Sequence, residues 1–449
     1  MVHCSHITLA AFKDQLAEFE ATFVNIGVFD FNGVFRHKRI NAAKAVRLAE
    51  NGYAFCEVLY KWDIADQVFG GGTFLDRAAT IDPGSVRAWP FQDGEAICIA
   101  DFDEPLGNMS PRNQLINQLK KAEEMGFSVH SAFEFEFTLL DETPNSLRDK
   151  GYENLSAFAV GNTTYSLKSA VENQAMFGDY AETMGRMGIG FDAFHSEMGE
   201  GCFETPLAHA KGIKAADDAA LLKNFAKPFF GQRDLTVAFM SKLRDGVPGQ
   251  SGHLHLSLRA TKDGTPSFHD TKGPDGLSQD ALYFIGGLVS LMPDWLALCS
   301  HTVNAYKRLV PGAWAPVYAA WGVQNRTAAV RVINDSPEAT RIEFRVPSAD
   351  TNPHSALAMC LAAGLWGIEN KIMPPEKRDD DCYAVAGPAS AQFPRDLTTA
   401  ADRLAASDVA RTIFGDVFID HYAFVCRQED ESYRKVVSAW ERRRYLETV

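Results

Sequence analysis

Four short segments carry acids, histidines and arginines at spacings that could do chemistry together. In Ser131-Ala132-Phe133-Glu134-Phe135-Glu136-Phe137, carboxylates alternate with phenylalanines. On a strand, that period of two puts Glu134 and Glu136 on one face and the rings on the other. Two carboxylates about 7 Å apart repel by roughly 2 kcal/mol at an effective dielectric of about 20. Such a pair belongs either to a solvated outer face or, in a buried strand, to a cation site. The continuous aromatic face opposite favours burial. Glu197 and Glu204 bracket the glycine-bearing turn Met198-Gly199-Glu200-Gly201-Cys202-Phe203. His253 and His255 alternate after Gly249-Gln250-Ser251-Gly252, and Glu343 lies between Arg341 and Arg345. Singly, each has an ordinary structural explanation, a satisfied core histidine above all. Together, five glutamates and a histidine, without cysteine, suit a hard ion such as Mg²⁺ or Mn²⁺ better than structural zinc.

Arginine is the other component: Arg308 in Asn304-Ala305-Tyr306-Lys307-Arg308-Leu309-Val310-Pro311-Gly312, then Arg326, Arg331, Arg341 and Arg345. Guanidinium groups pair bidentately with carboxylate and phosphate. Metals beside such a cluster are what phosphoryl transfer from a nucleotide to an acid requires. The sequence has no GxxxxGK[ST] loop and no kinase-type GxGxxG, so a nucleotide would bind by another route.

The elements that must position these groups fall into two parts. Residues 22–40 read as two strands around the turn dipeptide Asn32-Gly33, with strand-like runs at 54–60, 85–90 and 95–102. This is a small β-rich domain. Ser110-Pro111 reads as the N-cap and first residue of a helix through 121, which sets the boundary near 108. Beyond it, strands are predicted at 127–140, 189–195, 235–240, 253–259, 328–332 and 341–346. Helices are predicted at 172–187, 212–231, 352–372 and over much of 395–447. Without strict βαβ alternation, residues 109–449 suit an antiparallel α+β catalytic domain.

The bulk composition fits. The 449 residues are 46% hydrophobic and 23% charged, the balance of a globular chain with a sizeable core. Lys plus Arg is 44 and Asp plus Glu is 58, giving a charge of −14 that repels nucleic acid and acidic membranes and suits collection of divalent cations. The start, Met1-Val2-His3-Cys4-Ser5-His6, lacks a basic n-region, so the expected location is the cytoplasm. The longest apolar stretch, 282–299, contains Gly286, Gly287, Pro293 and Asp294 and reads as a buried helix rather than a membrane span. Eight scattered cysteines without CxxC read as reduced thiols.

In order and spacing, these segments resemble the glutamine synthetases. Residues 133–137 resemble their ExE strand, 197–204 their paired-glutamate segment, and 249–258 their HxHxSL segment. Residues 304–316 resemble their NxYKRLVPGxxAP motif; Asn325-Arg326-Thr327 with Arg331, Arg341-Ile342-Glu343-Phe344-Arg345 and Thr351-Asn352-Pro353 complete the series. The resemblance runs from about residue 22 to the C-terminus. It implies an α+β fold: an N-terminal β-grasp-like domain (1–108) and a catalytic domain (109–449) with a curved antiparallel sheet. It also implies ATP as co-substrate and two Mg²⁺ (or Mn²⁺) ions per site. Glu136, Glu197 and Glu204 match the ligands of the tighter metal; Glu134, His253 and Glu343 match those of the metal on the ATP phosphates. Arg308 and Gly249 match groups at bound glutamate, and Arg345 an arginine near the transferred phosphoryl group. Arg326 and Arg331 match the family's arginines that face the ATP phosphates, and His255 and Ser257 match positions where its nucleotide docks. The family's reaction passes through γ-glutamyl phosphate, in sites shared between subunits of a homo-hexamer or homo-dodecamer.

Two departures bear on the substrate. Where ammonia-using enzymes read PGxEAP, this chain reads Pro311-Gly312-Ala313-Trp314-Ala315-Pro316, so an indole replaces the glutamate that accepts a proton from ammonium. Residues 55–66 lack the family's DGSS; Asp63 and Asp66 are nearby, but no equivalent of the ammonium-binding aspartate is identified. Tyr165 matches, with a one-residue gap, a tyrosine lining the ammonia pocket. A site without those two anions holds ammonium poorly and leaves room for an apolar group. The expected activity is ATP-dependent formation of a γ-glutamylamide from glutamate and an organic amine, hydrophobic or aromatic, with Glu197 near the amine path. The alternatives are an ammonia-using glutamine synthetase, a ligase for another acid (Pro248 stands where the family often has asparagine), and a non-catalytic ring-forming scaffold.

Overall fold

The computed structural model describes residues 9–161, 163–385 and 387–449. Cys4 and the N-terminal segment 1–6 read above lie outside the described residues. Strand Phe23–Phe29 pairs antiparallel with Phe35–Asn41 across a turn in which the Asp30 carboxylate accepts from the backbone N–H of Asn32 and Val34, with Gly33 at φ 77°. Strand Phe23–Phe29 also pairs parallel with Glu95–Phe102, a connection that needs a crossover. Helix Ala42–Asn51, capped by the Asn41 side chain, provides it. The sheet runs Phe35–Asn41, Phe23–Phe29, Glu95–Phe102, Asp76–Ile81, Tyr53–Cys56, a β-grasp order, with Arg87–Ala88 on a flank. The runs at 54–60 and 85–90 form less strand than the pattern predicts. After Tyr53–Cys56 the chain turns into a 3₁₀ segment, Glu57–Tyr60, whose Glu57 pairs with Lys61 and Arg77. Pro83 opens a second such turn, leaving only Arg87–Ala88 to pair.

The larger sheet has nine strands. At its centre the 14-residue strand Phe127–Leu140 lies between Cys202–Pro206 and Gly252–Ala260, both antiparallel. Beyond Gly252–Ala260 follow Arg341–Phe344, Val330–Ile333 and, parallel to the last, Trp321–Val323. Phe133, Phe135 and Phe137 are fully buried in a core built with helices Lys214–Gly231, Gln279–Trp295 and Pro353–Asn370. The apolar stretch Gln279–Leu298, helix Gln279–Trp295 with the turn that follows it, is long enough to cross a membrane, yet 83% of its most apolar window is buried inside the fold. Its glycines explain how. A Cβ on Gly287 would lie 2.2 Å from the Ala363 carbonyl, so the helix and Pro353–Asn370 meet at backbone distance.

The helix expected at 172–187 is Gln174–Arg186, preceded by a short helix Leu167–Glu172, and 189–195 is mostly irregular, with a bridge from Phe191 to Leu207 and pairing at His195–Ser196. Gly188, at φ 71°, turns the chain out of the second helix. A buried guanidinium joins the two parts. Arg112, 1% exposed, pairs with Asp82 and Asp101 from the small sheet and Asp217 from helix Lys214–Gly231, and His354 closes on Asp217 at 2.8 Å.

Candidate active site

Strand register alone assembles the reactive row. His195 pairs with Glu204, and Glu204 with Glu136, two residues along from Glu134 on the same face. Glu134 pairs with His253; two residues on, His255 pairs with Glu343, and Glu343 with Arg331. Six strands thus present acids, histidines and an arginine on the face opposite the phenylalanines. All but His255 line a cleft of about 420 Å³ that also takes in Arg308, Arg326, Arg345 and Gly249.

Two ligand-like triads occur in that row. Glu134, His253 and Glu343 bring their atoms within 4.8 Å of one another, as do His195, Glu197 and Glu204. The first triad is the one expected. In the second, His195 occurs with Glu197 and Glu204, while the Glu136 carboxylate accepts the Ser251 backbone N–H beside it. His195 was not among the residues singled out from the sequence; its strand is only His195–Ser196, so its place two positions before Glu197 was the available signal.

The electrostatics of the row call for cations. Burial, then repulsion from Glu136 and Glu134, pushes the Glu204 carboxyl up to about 9. Glu136 is raised by burial too, only partly offset by the Ser251 N–H and Arg308. Burial would also raise Glu134, but His255 and His253 outweigh it and hold the carboxyl well below the usual range. At Glu343, Arg345 and the two histidines overcome burial and bring it down to about 2. Burial and Arg345 lower His253 to about 4, which keeps it neutral, and its Nε2 is buried without a hydrogen-bond partner. Neutral imidazole beside crowded carboxylates is a donor set that fits divalent metal ions.

The cations of the protein itself stand at the edges. Arg308, 1% exposed, donates to the carbonyls of Val346 (2.9 Å) and Arg345 (3.2 Å). Gly249 packs on its stem, where a Cβ would lie 2.6 Å from Arg308 Cγ. Arg345 and Arg331 both pair with Glu343, the latter at 2.9 Å. Arg326 is exposed and has no ion-pair partner among the described residues. His255 and Ser257 line a neighbouring cleft of about 280 Å³, which meets the first at Glu134 and Pro206. Arg341 donates to His255 Nδ1 (3.1 Å), and His255 Nε2 stands 3.0 Å from Glu134.

At the mouth, Trp314 (54% exposed, φ 54°) and Tyr165 (72% exposed, φ 56°) project from loops, and Tyr165 packs edgewise on His195 at 4.9 Å. Asp66 is taken up by Arg36 at 2.9 Å, and Asp63 accepts from the backbone of its own turn. Neither lines the cleft of its own chain.

Residues 108–445 match the glutamine synthetase catalytic domain, and the chain belongs to the glutamine synthetase family. It is an ATP-dependent ligase that forms C–N bonds. Within the family it is similar to a glutamate–isopropylamine ligase from a Pseudomonas species, 32% identical over 97% of each chain. It is equally similar, at 32% over 97% of this chain and 86% of the relative, to type-1 glutamine synthetase 2 of Dictyostelium discoideum. A solved structure of GmaS without ligand superposes with a TM-score of 0.85 at 28% identity, covering 98% of this chain and 99% of that one.

Proposed function

We propose that this ligase joins the γ-carboxylate of glutamate to an organic amine with an apolar body. The observation that carries this reading is the composition of the cleft. Its acids are Glu134, Glu136, Glu197, Glu204 and Glu343, all in or beside the two triads. The wall towards the mouth is Thr164, Tyr165, Met198, Ala313 and Trp314, with no further carboxylate among the described residues to attract ammonium or take its proton. The similarity to a glutamate–isopropylamine ligase supports the same reading.

In this account Arg308 anchors the glutamate carboxylate, with Gly249 leaving room for its stem. The γ-carboxylate oxygen attacks the terminal phosphorus of ATP and ADP leaves. Arg345, Arg326 and Arg331 offset the charge that grows on the transferred group. His255 and Ser257 hold the nucleotide in the neighbouring cleft. The amine nitrogen then attacks the acyl carbon of γ-glutamyl phosphate, inorganic phosphate departs, and the amine's proton is released, with Glu197 the nearest carboxylate. Two divalent ions, Mg²⁺ or Mn²⁺, held by Glu136, Glu197 and Glu204 and by Glu134, His253 and Glu343, would supply charge neutralisation to both acids and phosphates.

The working assembly is a homo-oligomeric ring, hexameric or paired as a dodecamer, in the cytoplasm. Ile64, Val68 and Leu75 on the small domain and Val160, Leu167 and Val171 on the large one are exposed apolar side chains of the kind a subunit contact would cover. The second reading, ammonia as the amine, is favoured by the equal similarity to a glutamine synthetase. Phosphate release with ATP, glutamate and a panel of amines separates the two: the account expects an apolar or aromatic amine to exceed ammonia, and ammonia outperforming every organic amine would refute it.

A further inference from the structure

Both ends of Arg308 are tied to one segment, residues 345–351. At the head, the carbonyls of Arg345 and Val346 accept from the guanidinium. At the base, the chain enters Arg308 through the 3₁₀ turn Ala305–Lys307, and the Arg308 N–H donates to the Ala305 carbonyl (3.1 Å). Thr302 opens that turn. Its hydroxyl accepts from the Ala305 N–H (3.1 Å) and donates to Asp350 Oδ2 (2.6 Å). A hydroxyl that donates to a carboxylate makes a shorter and stronger bond than a neutral pair does.

Asp350 is itself held on both sides. The Ala349 N–H donates to the Gln250 carbonyl (3.1 Å) and the Thr351 N–H to the Ser348 carbonyl (3.0 Å). Lys223 Nζ donates to the Thr351 carbonyl (2.6 Å). The second carboxylate oxygen, Asp350 Oδ1, is buried and has no hydrogen-bond partner among the described residues. Burial pushes the Arg308 guanidinium down to about 10, and Glu136 and Asp350 work against that. Neither Asp350 nor Thr302 lines the active-site cleft, so what they do there they do through Arg308.

We propose that Asp350 is a positioning residue for the acid substrate: through Thr302 it holds the turn that aims Arg308. The inference rests on Arg308 as the glutamate anchor. Without the link, the guanidinium stays tied to the Arg345 and Val346 carbonyls while its backbone is free to shift, and the pose offered to the carboxylate is lost. An error of that kind weakens glutamate binding. It leaves the nucleotide alone, because His255 and Ser257 line the neighbouring cleft.

Initial rates with glutamate and ATP varied separately test the link, with a melting curve for each variant. Thr302→Val keeps the shape and loses both bonds; KM for glutamate is expected to rise roughly tenfold while KM for ATP stays within about twofold. Thr302→Ser, which keeps the hydroxyl, is expected to hold KM for glutamate within about twofold of wild type. Asp350→Asn, which removes the charge from the bond, is expected to raise KM for glutamate roughly threefold and to add nothing in a Thr302→Val background. A folded Thr302→Val enzyme with unchanged KM for glutamate, an equal rise in KM for ATP, no retention by serine, or effects of Asp350→Asn and Thr302→Val that multiply would overturn the inference. Arg308→Lys separates it from the anchor reading. If that variant raises KM for glutamate and Thr302→Val does not, the positioning role alone fails; if neither does, the anchor falls with it. A rise in Thr302→Val without one in Arg308→Lys would also refute the route through Arg308.

Discussion

Replacing Gly249 by Ala tests the glutamate anchor with a single methyl group. A Cβ there would lie 2.6 Å from Arg308 Cγ and 3.1 Å from both Arg308 Cβ and the Ser241 carbonyl. Ordinary carbon contacts sit near 3.5–4.0 Å, so the arginine stem must retreat by roughly 1 Å. It has little freedom to do so, being 1% exposed and tied to the Val346 and Arg345 carbonyls. Overpacking of this kind costs about 1–3 kcal/mol. If that falls on the pose of bound glutamate, KM for glutamate rises roughly 5- to 150-fold. KM for ATP should move far less, because His255 and Ser257 lie in the other cleft. Initial rates with glutamate and ATP varied separately, alongside a melting curve, give the answer. A folded Gly249→Ala enzyme whose KM for glutamate stays within about twofold of wild type would refute the assignment of Arg308 as the anchor.

Glu343→Gln removes the charge that Arg331 and Arg345 share and that completes the triad with Glu134 and His253. Calorimetric titration with Mn²⁺ should lose one of two binding events and turnover should fall by at least about a hundredfold; two intact events would contradict the ligand set. Arg112→Met leaves Asp82, Asp101 and Asp217 buried without their cation, and urea unfolding should show a loss of about 3–5 kcal/mol; a loss below about 1 kcal/mol would show that the junction does not hold the two parts together. At Glu142, hydrogen bonds from Lys150, Ser146 and the Ser156 N–H bring the carboxyl down to about 2. A depressed acid stabilises the fold fully above its unfolded value, near 4.5, and loses that contribution as pH falls towards 2. The stability gap between wild type and Glu142→Gln should therefore narrow over that window, and a gap independent of pH would contradict the assignment.

How much of this was legible in the sequence differs from group to group. The strand Phe127–Leu140 was readable to its ends, because aromatic and acidic residues alternate with period two and no turn residue interrupts them. So was the N-cap at Ser110, whose side chain accepts from Asn113. The resemblance supplied the candidate set, and register, invisible to composition, is what brings Glu134 opposite His253 and Glu136 opposite Glu204. His195 escaped notice because it lies on a two-residue strand with no period to read. The Arg112 junction was equally hidden: its partners Asp82, Asp101 and Asp217 are far apart in sequence, and each alone reads as a surface acid. The helix expected at 172–187 starts at Gln174 because the Asn173 side chain turns back to the Ser169 carbonyl and ends the short helix before it.

The central claim, an organic amine in place of ammonia, turns on Trp314. The most direct measurement is kcat/KM for an apolar or aromatic amine against ammonia, in wild type and in Trp314→Glu. The account predicts a wild-type ratio of at least about tenfold in favour of the organic amine, roughly 1.4 kcal/mol in the transition state, and a shift towards ammonia in the variant. A wild-type enzyme that prefers ammonia, or a ratio that Trp314→Glu leaves unchanged, would contradict it.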